Sequence, residues 1–246
     1  MGSVKAEIIK LGKLGCLRFN GKPVSPGVRY NMETISFGDT DPEKAISFVK
    51  WKNLLVADRC IFTSISWNDL NHSGLIFGRP VKIDGDPYIC RSLRVGKEEG
   101  SSNEWDAILD DLEESDDLWH WDYIYFWGQE NEKNMASNRA VRGSHSARSW
   151  GIINATYRDA RVGFRPALEP LPPEPLVSEP LIGANLEIYG QGYMFDGKLV
   201  DFSDYDLIIS PPGGICSAED KCGWASMVGD NVVIDRSAIT WMKEVD

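Results

Sequence analysis

The stretch Leu118–Gly128 reads Leu-Trp-His-Trp-Asp-Tyr-Ile-Tyr-Phe-Trp-Gly and decides the expected fold. Large aromatic residues occupy every second position, so in a β-strand they would all lie on one face of a sheet. They are Trp119, Trp121, Tyr123, Tyr125 and Trp127. Because the stretch lies in the middle of the chain, we interpret this face as part of an aromatic core. A platform that stacks against carbohydrate is the alternative interpretation.

Two short helices are predicted upstream of this strand. Residues 103–114 carry apolar side chains at positions i, i+3, i+4 and i+7, and Asn103 can cap the first turn. The opposite face is acidic, and residues 98–122 contain neither Lys nor Arg, a pattern typical of a solvated face. Ser66 is the expected N-cap of the other helix, with Asp69 in its first turn. Helices beside an antiparallel sheet predict an α+β fold.

The chain divides into four predicted segments. Residues 1–52 form a β-rich lead-in, and residues 53–168 form the principal domain. Residues 169–181 form a linker, because five prolines between Glu169 and Pro180 favour an extended, semi-rigid chain. Residues 182–246 contain short β-rich runs separated by glycine-rich turns, which predict a small β-rich module.

Composition excludes several classes of protein. The 37 acidic and 26 basic residues give a net charge of −11, which disfavours direct binding to nucleic acid. No apolar run approaches the roughly 20 residues of a membrane helix, and we find no signal-peptide pattern at the N-terminus. Five widely spaced cysteines and three histidines favour neither a disulfide framework nor a local metal site. We therefore expect no membrane association, no metal and no cofactor.

The most specific part of the sequence lies between Arg139 and Pro166. Residues 139–150 read Arg-Ala-Val-Arg-Gly-Ser-His-Ser-Ala-Arg-Ser-Trp, and residues 162–166 read Val-Gly-Phe-Arg-Pro. These motifs resemble the C-terminal signature of the formylglycine-generating enzyme/sulfatase-modifying superfamily. Three further pieces follow the family's order, namely Ser64–Asp69, Asn103–Ala107 and Leu118–Trp121. The resemblance covers roughly residues 54–168 and implies a C-type-lectin-like domain, with short helices on a twisted antiparallel sheet.

The resemblance also implies which residues form the structural framework. Arg142 and Arg165 are expected to hold loops through hydrogen bonds to backbone carbonyls. Gly143 and Gly163 permit tight turns, and Phe164 contributes to the core.

One departure from the family bears on activity. Oxidase members of the superfamily bind copper through a cysteine pair in the C-terminal segment, whereas residues 144–165 contain no cysteine. Because copper(I) prefers thiolate ligands, we do not expect the oxidase activity here. The resemblance therefore implies the fold of the superfamily without its oxidase activity.

The same scaffold serves as the variable protein of diversity-generating retroelements, which randomise adenine-containing codons to change ligand binding. Residues 149–161 fit this pattern, since Asn, Asp, Tyr, Thr, Ile, Gly and Ser can all be reached from an Asn codon by changing adenines. The chain also resembles uncharacterised proteins of phages and prophages of Gram-positive bacteria. The ligand-binding residues that these resemblances imply are Ser146, Arg148, Trp150, Ile152, Ile153, Asn154, Thr156, Tyr157, Arg158, Asp159 and Arg161.

Three hypotheses about function remain open. The first is a non-enzymatic ligand-binding protein of phage or prophage origin, located in the virion or in the bacterial host cytoplasm. It would present residues 144–162 to a host protein or carbohydrate and attach to virion partners through its C-terminal module, either as one chain or as a homo-oligomer. The second is a divergent enzyme that uses His145 with Asp122 or Glu130 in the superfamily pocket. The third is an acidic intracellular inhibitor that mimics nucleic acid through residues 98–122.

Overall fold

The secondary-structure content overturns the expected fold class. The computed structural model describes residues 10–133, 135–172, 177–190, 193–210 and 223–245. Strands account for 47% of these residues and helices for 11%. The expected α+β class, with a lectin-like arrangement of short helices on a twisted antiparallel sheet, is therefore wrong, because the described chain is a β-rich fold. The helical motifs exist, but the two predicted helices contribute only six and eight residues.

The described residues form two compact units. The larger falls within Met1–Arg79 and Ile83–Pro170, and the smaller falls within Pro80–Lys82 and Leu171–Asp246. The main change from one unit to the other therefore comes at Leu171, inside the stretch that the sequence assigns to a linker.

Residues 10–133 and 135–170 form fourteen strands and three α-helices. The helices are α1 (Trp67–His72), α2 (Glu104–Asp111) and α3 (Asp116–Trp119). The strands are β1 (Lys10–Phe19), β2 (Lys22–Val24), β3 (Val28–Arg29), β4 (Ile35–Gly38), β5 (Ala45–Trp51), β6 (Leu54–Ala57), β7 (Phe62–Thr63), β8 (Arg79–Ile83), β9 (Asp86–Arg91), β10 (Tyr125–Asn131), β11 (Asn138–Gly143), β12 (Trp150–Asn154), β13 (Val162–Phe164) and β14 (Ala167–Pro170).

These strands build two sheets. The eight-stranded sheet has the order β2-β1-β5-β6-β14-β9-β8, with β4 also paired to β1. Strand β5 of the expected lead-in pairs antiparallel with β6 of the expected principal domain, so both segments share this sheet. The six-stranded sheet has the order β12-β11-β10-β13-β7-β3, and its β10–β13 and β3–β7 pairs are parallel. Strand β12 lies at the edge of the six-stranded sheet.

The stretch Leu118–Gly128 is not one strand. Helix α3 ends at Trp119, a turn follows, and β10 begins only at Tyr125. His120, Asp122 and Tyr123 have left-handed backbones, with φ of 37°, 47° and 57°, which breaks the alternation that a strand requires. The predicted strand is therefore wrong for residues 118–124.

The interpretation of this stretch as core is confirmed at two of its aromatic residues. Trp119 and Trp127 are fully buried, whereas Tyr123 is 69% exposed. The shared aromatic face is therefore replaced by two buried indoles and one exposed phenol.

A fully buried cation lies at the centre of the larger unit. The Arg165 guanidinium donates hydrogen bonds to the carbonyl oxygens of Ala57 (3.2 Å), Asp58 (3.0 Å) and Trp119 (2.6 Å). Its carbon lies 5.3 Å from the ring centroid of Trp105 and 5.1 Å from that of Phe126. Arg165 lies in the connection between β13 and β14 and ties it to the β6–β7 connection and to the end of α3.

The part of the smaller unit that the structure describes after Leu171 forms a six-stranded antiparallel sheet. Its strands are β15 (Asn185–Gly190), β16 (Tyr193–Phe202), β17 (Asp206–Ser210), β18 (Ala225–Val228), β19 (Asn231–Asp235) and β20 (Trp241–Val245), in the order β18-β19-β17-β16-β15-β20. Leu186, Ile188, Phe195 and Leu207 are among its buried core residues. None of the helices in the described part of the chain is long and apolar enough to cross a membrane.

Replacing Arg165 tests this arrangement. We expect Arg165→Ala to lower the free energy of unfolding by about 3–5 kcal/mol, because three buried carbonyls lose their donor and the aromatic rings lose their neighbour. Arg165→Lys should remain clearly destabilised, since one ammonium cannot reproduce the planar fork of donors. Urea denaturation of both variants measures the effect. A loss below about 1 kcal/mol for Arg165→Ala would contradict the central position of this residue.

Candidate functional site

The framework residues lie where β11 and β13 approach other backbone. Arg142 is buried and pairs with the carboxylate of Asp106 on α2 rather than with a carbonyl. Gly143 has φ of 94°, and a Cβ there would lie 2.9 Å from the carbonyl oxygen of Ile124. A Cβ at Gly163 would lie 2.3 Å from the carbonyl oxygen of Phe62, so only glycine allows this close strand approach.

Phe164 packs within the core that these strands enclose. It is fully buried, and its ring centroid lies 5.6 Å from that of Phe62 on β7. Together with the close approach at Gly163, this contact holds β13 against β7.

The loop between β11 and β12 carries three serines and one histidine. Ser144 has φ of 81°, and its hydroxyl lies 3.1 Å from Nδ1 of His145. The His145 ring packs edge-on against Tyr123 at 5.6 Å. Ser146 and Ser149 hydrogen-bond each other through backbone and hydroxyl groups. The loop is thus internally cross-linked.

The two acidic partners expected for His145 are not described in contact with it. Glu130 accepts a hydrogen bond from the backbone N–H of Val95 (2.9 Å). Asp122 lies in the left-handed turn before β10 and is exposed. No hydrogen bond or ion pair described in residues 10–133 and 135–172 joins His145 to either carboxylate.

Arg148 joins this loop to the acidic face of α2. Its guanidinium pairs with Asp110 (2.7 Å), Glu114 (2.7 Å) and Asp106 (3.5 Å). Hydrogen bonds to Glu114 and Asp110 raise the pKa of Arg148 above its ordinary value, and the bond to Glu114 contributes most. The acidic face that the sequence predicts to be solvated is therefore partly neutralised within the chain, and Arg148 is committed to that role.

Strand β12 exposes side chains on one face. Trp150 is half-buried and packs on the core formed with α2 and α3. Ile152, 42% exposed, and Asn154 follow at the next alternate positions and are exposed. Ile153 points to the opposite face and is half-buried. The outer half of this strand therefore presents Ile152 and Asn154 to solvent.

We call the segment Ala155–Arg161 the display loop. Its backbone is hydrogen-bonded to three other segments of the chain. The Ala155 N–H donates to the carbonyl of Ser137 (2.9 Å), and the Ala155 carbonyl accepts from Asn68 (3.1 Å). The Asp159 carbonyl accepts from the N–H of Ser64 (3.1 Å). These bonds fix the loop to the start of β11, to α1 and to the end of β7.

Two local bonds complete the restraint of the display loop. The Thr156 N–H donates to the side chain of Asn154 (3.0 Å), and the Tyr157 N–H donates to the Asn154 carbonyl (2.9 Å). The side chains of Thr156 and Tyr157 are nevertheless exposed, Tyr157 by 43%. A restrained backbone thus carries exposed side chains.

An ion pair holds the middle of the display loop against α1. The Arg158 guanidinium binds both carboxylate oxygens of Asp69, each at 2.7 Å. Asp69 also closes the capping box with Ser66 at the start of α1. The hydrogen bond from Arg158, helped by those from Ser66, lowers the pKa of Asp69 from 3.8 to about 2. Further along, Arg161 pairs with Asp159 (2.9 Å) and remains exposed.

Most anchors of the display loop escaped the sequence analysis. Asp69 was recognised as a helix residue from its spacing to Ser66, but its partner Arg158 is 89 residues away and no local pattern reports that pairing. Ser64 and Ser137 act through backbone groups, which any residue type supplies. The amino-acid types of the missed residues therefore give no indication that they hold the display loop.

Metal and thiol chemistry find little support in the described residues. No group of three His, Cys, Asp or Glu side chains in residues 10–133, 135–172, 177–190, 193–210 and 223–245 is arranged to hold a metal ion. Burial raises the pKa of Cys60 and of Cys90 to about 12, which disfavours their thiolates. Cys216 and Cys222 lie outside the described residues.

Comparisons with known proteins assign no role to these residues. Neither a family model, nor a curated protein, nor a solved structure matches the chain.

The Arg158–Asp69 pair predicts a pH-dependent contribution to stability. Because the folded-state pKa of Asp69 is depressed, the contribution is present above the ordinary value of 3.8 and is lost as pH falls through about 2. We expect Arg158→Gln to cost about 1 kcal/mol at pH 7, as a bidentate but partly exposed pair.

Urea denaturation of the wild type and of Arg158→Gln at several pH values tests this prediction. The difference between their free energies of unfolding should shrink as pH falls toward 2. A difference that stays constant over this range would show that Asp69 does not supply it. Arg161→Gln, which removes an exposed pair within the loop itself, is the matched control.

Proposed function

We propose that the chain is a non-enzymatic ligand-binding protein of phage or prophage origin, which recognises a protein or glycan of a bacterial host through the display loop. One observation carries the proposal. The loop backbone is hydrogen-bonded to Ser64, Asn68 and Ser137, while the side chains of Thr156 and Tyr157 are exposed. This combination separates the part of the loop that maintains the fold from the part that can contact a ligand.

A pinned backbone favours binding because it lowers the entropy lost on association. A flexible loop must be ordered when it binds, whereas a restrained loop presents its side chains in place. Tyr157 offers a rigid ring and a hydroxyl, which combine apolar contact with hydrogen bonding at low conformational cost. The surface therefore suits a ligand with both apolar and polar groups, such as a sugar or a polar protein surface.

Diversification of this loop is part of the proposal. Changes at Thr156 and Tyr157 would alter exposed side chains of the display loop. Ala155, at the start of the loop, is buried, so its substitution would disturb packing. Codon randomisation at the exposed positions can therefore change the ligand-binding surface while the fold stays the same. Randomisation at buried positions would change the fold as well.

The acidic-inhibitor hypothesis has less support. Nucleic-acid mimicry needs an array of exposed, unneutralised carboxylates. Glu104 instead pairs with Arg91 (2.8 Å), and Asp110 and Glu114 pair with Arg148. Much of the negative charge on α2 and on the residues directly after it is thus balanced within the chain.

The enzyme hypothesis has one observation in its favour, the Ser144–His145 contact at 3.1 Å on a left-handed backbone. A serine activated by histidine would attack an acyl carbonyl and pass its proton to the imidazole, and the leaving group would depart with that proton as the serine ester forms. Incubation with a fluorophosphonate probe tests this reading, with His145→Ala as the comparison. Labelling of Ser144 that disappears in His145→Ala would favour an enzyme over the binding protein proposed here.

The binding proposal predicts that the exposed side chains of the display loop determine affinity. We expect the double variant Thr156→Ala/Tyr157→Ala to bind Gram-positive host cells at least about tenfold more weakly than the wild type, because aromatic anchors dominate binding energy. Fluorescently labelled full-length chain, titrated onto intact cells, measures the affinity.

Tyr205→Ala is the matched control for that titration. Tyr205 is 79% exposed and lies in the smaller unit, so its substitution should leave both affinity and thermal stability unchanged. Equal cell binding by the wild type and the double variant would contradict recognition through the display loop.

A further inference from the structure

The open edge of β12 offers backbone hydrogen-bonding groups. The strand pairs antiparallel with β11 over five residues, from Arg142↔Trp150 to Asn138↔Asn154, without a register shift. On its other side β12 has no neighbouring strand among the described residues, because it ends the six-stranded sheet. Such an edge is a template for a further strand.

The pairing determines which residues of β12 face that edge. Two backbone bonds show which pairs of the β11–β12 ladder are hydrogen-bonded. The N–H of Gly143 donates to the carbonyl of Ser149, and the N–H of Ala155 donates to the carbonyl of Ser137. Hydrogen-bonded pairs alternate along an antiparallel ladder, so the backbone groups of Trp150, Ile152 and Asn154 point away from β11. Within the described residues, none of the N–H groups of these three residues has an acceptor from another strand.

The edge lacks the features that normally prevent strand addition. Strands at open edges are usually protected by charged side chains, by proline or by a bulge. Strand β12 reads Trp-Gly-Ile-Ile-Asn and contains no charged residue and no proline. Its most exposed large apolar side chain is Ile152, at 42%. The strand is therefore suited to pairing with another strand.

The charge distribution favours this edge as the place where two copies meet. The chain has a net charge of −11, so two copies repel each other across most of their surfaces. Residues 133–158, which include β12, contain no Asp or Glu and five basic residues. Four of the five, namely Lys133, Arg142, Arg148 and Arg158, pair with carboxylates elsewhere in the same chain. Two copies that approach through this segment therefore bring together no acidic side chains of the segment, and most of its cations are already neutralised.

We propose that β12 pairs with β12 of a second copy of this chain, antiparallel and centred on Ile152. The three outward-facing residues are symmetric about Ile152, so a two-fold axis brings each outward N–H of Ile152 to the Ile152 carbonyl of the partner copy. It also brings each Asn154 N–H to the Trp150 carbonyl across the axis. The pairing is self-complementary, as an isologous interface requires, and it joins two six-stranded sheets into one.

The dimer would present two display loops. Apart from the bond from the Tyr157 N–H to the Asn154 carbonyl, the loop is bonded to Ser137, to α1 and to the end of β7, on backbone that does not belong to the open edge. Pairing through β12 therefore leaves Tyr157 available to ligand in each copy. Two linked binding surfaces raise the avidity for a repetitive host surface without any new contact.

A cysteine cross-link tests the register of this pairing. Opposed residues of a hydrogen-bonded antiparallel pair have Cα atoms about 5.5 Å apart, within the range that a disulfide spans. We expect Ile152→Cys to form a covalent dimer under mild oxidation. In the same register the two Asn154 positions are about 14 Å apart, so Asn154→Cys should form at least about tenfold less dimer. The wild type measures the background from native cysteines.

The outcomes of the cross-linking are distinct. Strong cross-linking at position 152 and weak cross-linking at position 154 supports the proposal. Equal cross-linking at both positions would contradict the register, and no cross-linking above the wild-type background would overturn the pairing. Neither result depends on ligand binding, so failure of the dimer and failure of the binding proposal are distinguishable.

Light scattering on the full-length chain gives an independent test. The wild type should approach twice the chain mass of 27.5 kDa as its concentration rises. Ile152→Lys places a charge on the edge and should remain monomeric with unchanged circular dichroism, while Tyr205→Lys in the smaller unit should dimerise like the wild type. A wild type that stays monomeric at every concentration, or an Ile152→Lys variant that still dimerises, would overturn the proposal.

Discussion

The structure of the larger unit depends on one buried cation. Arg165 is 1% exposed and binds three backbone carbonyls from two separate segments. A charge removed from water needs such hydrogen bonds, and the buried Nε of Arg165 has no described acceptor, so the three carbonyls must hold their positions. The carbonyl of Trp119 fixes where α3 ends, and those of Ala57 and Asp58 fix the connection that leads into β7.

The site follows from these fixed points. Beyond Trp119 the chain turns through left-handed residues to reach β10, a costly backbone that persists only where its surroundings enforce it. The first residue of β10, Tyr125, donates its N–H to the carbonyl of Arg161 (2.8 Å), which ends the display loop. The far end of the loop is held at Ala155. The loop therefore takes its rigidity from the frame beneath it.

The sequence predicted the elements whose information is local. The N-caps Ser66 and Asn103 and the buried face of α2 are confirmed, although α2 ends at Asp111 rather than Glu114. The β-rich fold was missed because many strands have two to five residues and pair with distant segments. The alternation of aromatic residues in 118–124 led to the wrong prediction of a strand, because a hydrophobic period does not reveal left-handed turns. The Arg158–Asp69 pair and the open edge of β12 arise only from the tertiary fold.

Amide hydrogen exchange of the full-length chain tests most directly whether the display loop is rigid. We expect the N–H groups of Ala155 and Tyr157, and of Val162 directly after the loop, to exchange as slowly as those of β11, because each is bonded to a carbonyl. The exposed side chains would then be carried by a backbone that does not open locally. Exchange of these three amides at the rate of an unstructured chain, with β11 still protected, would contradict a rigid display loop.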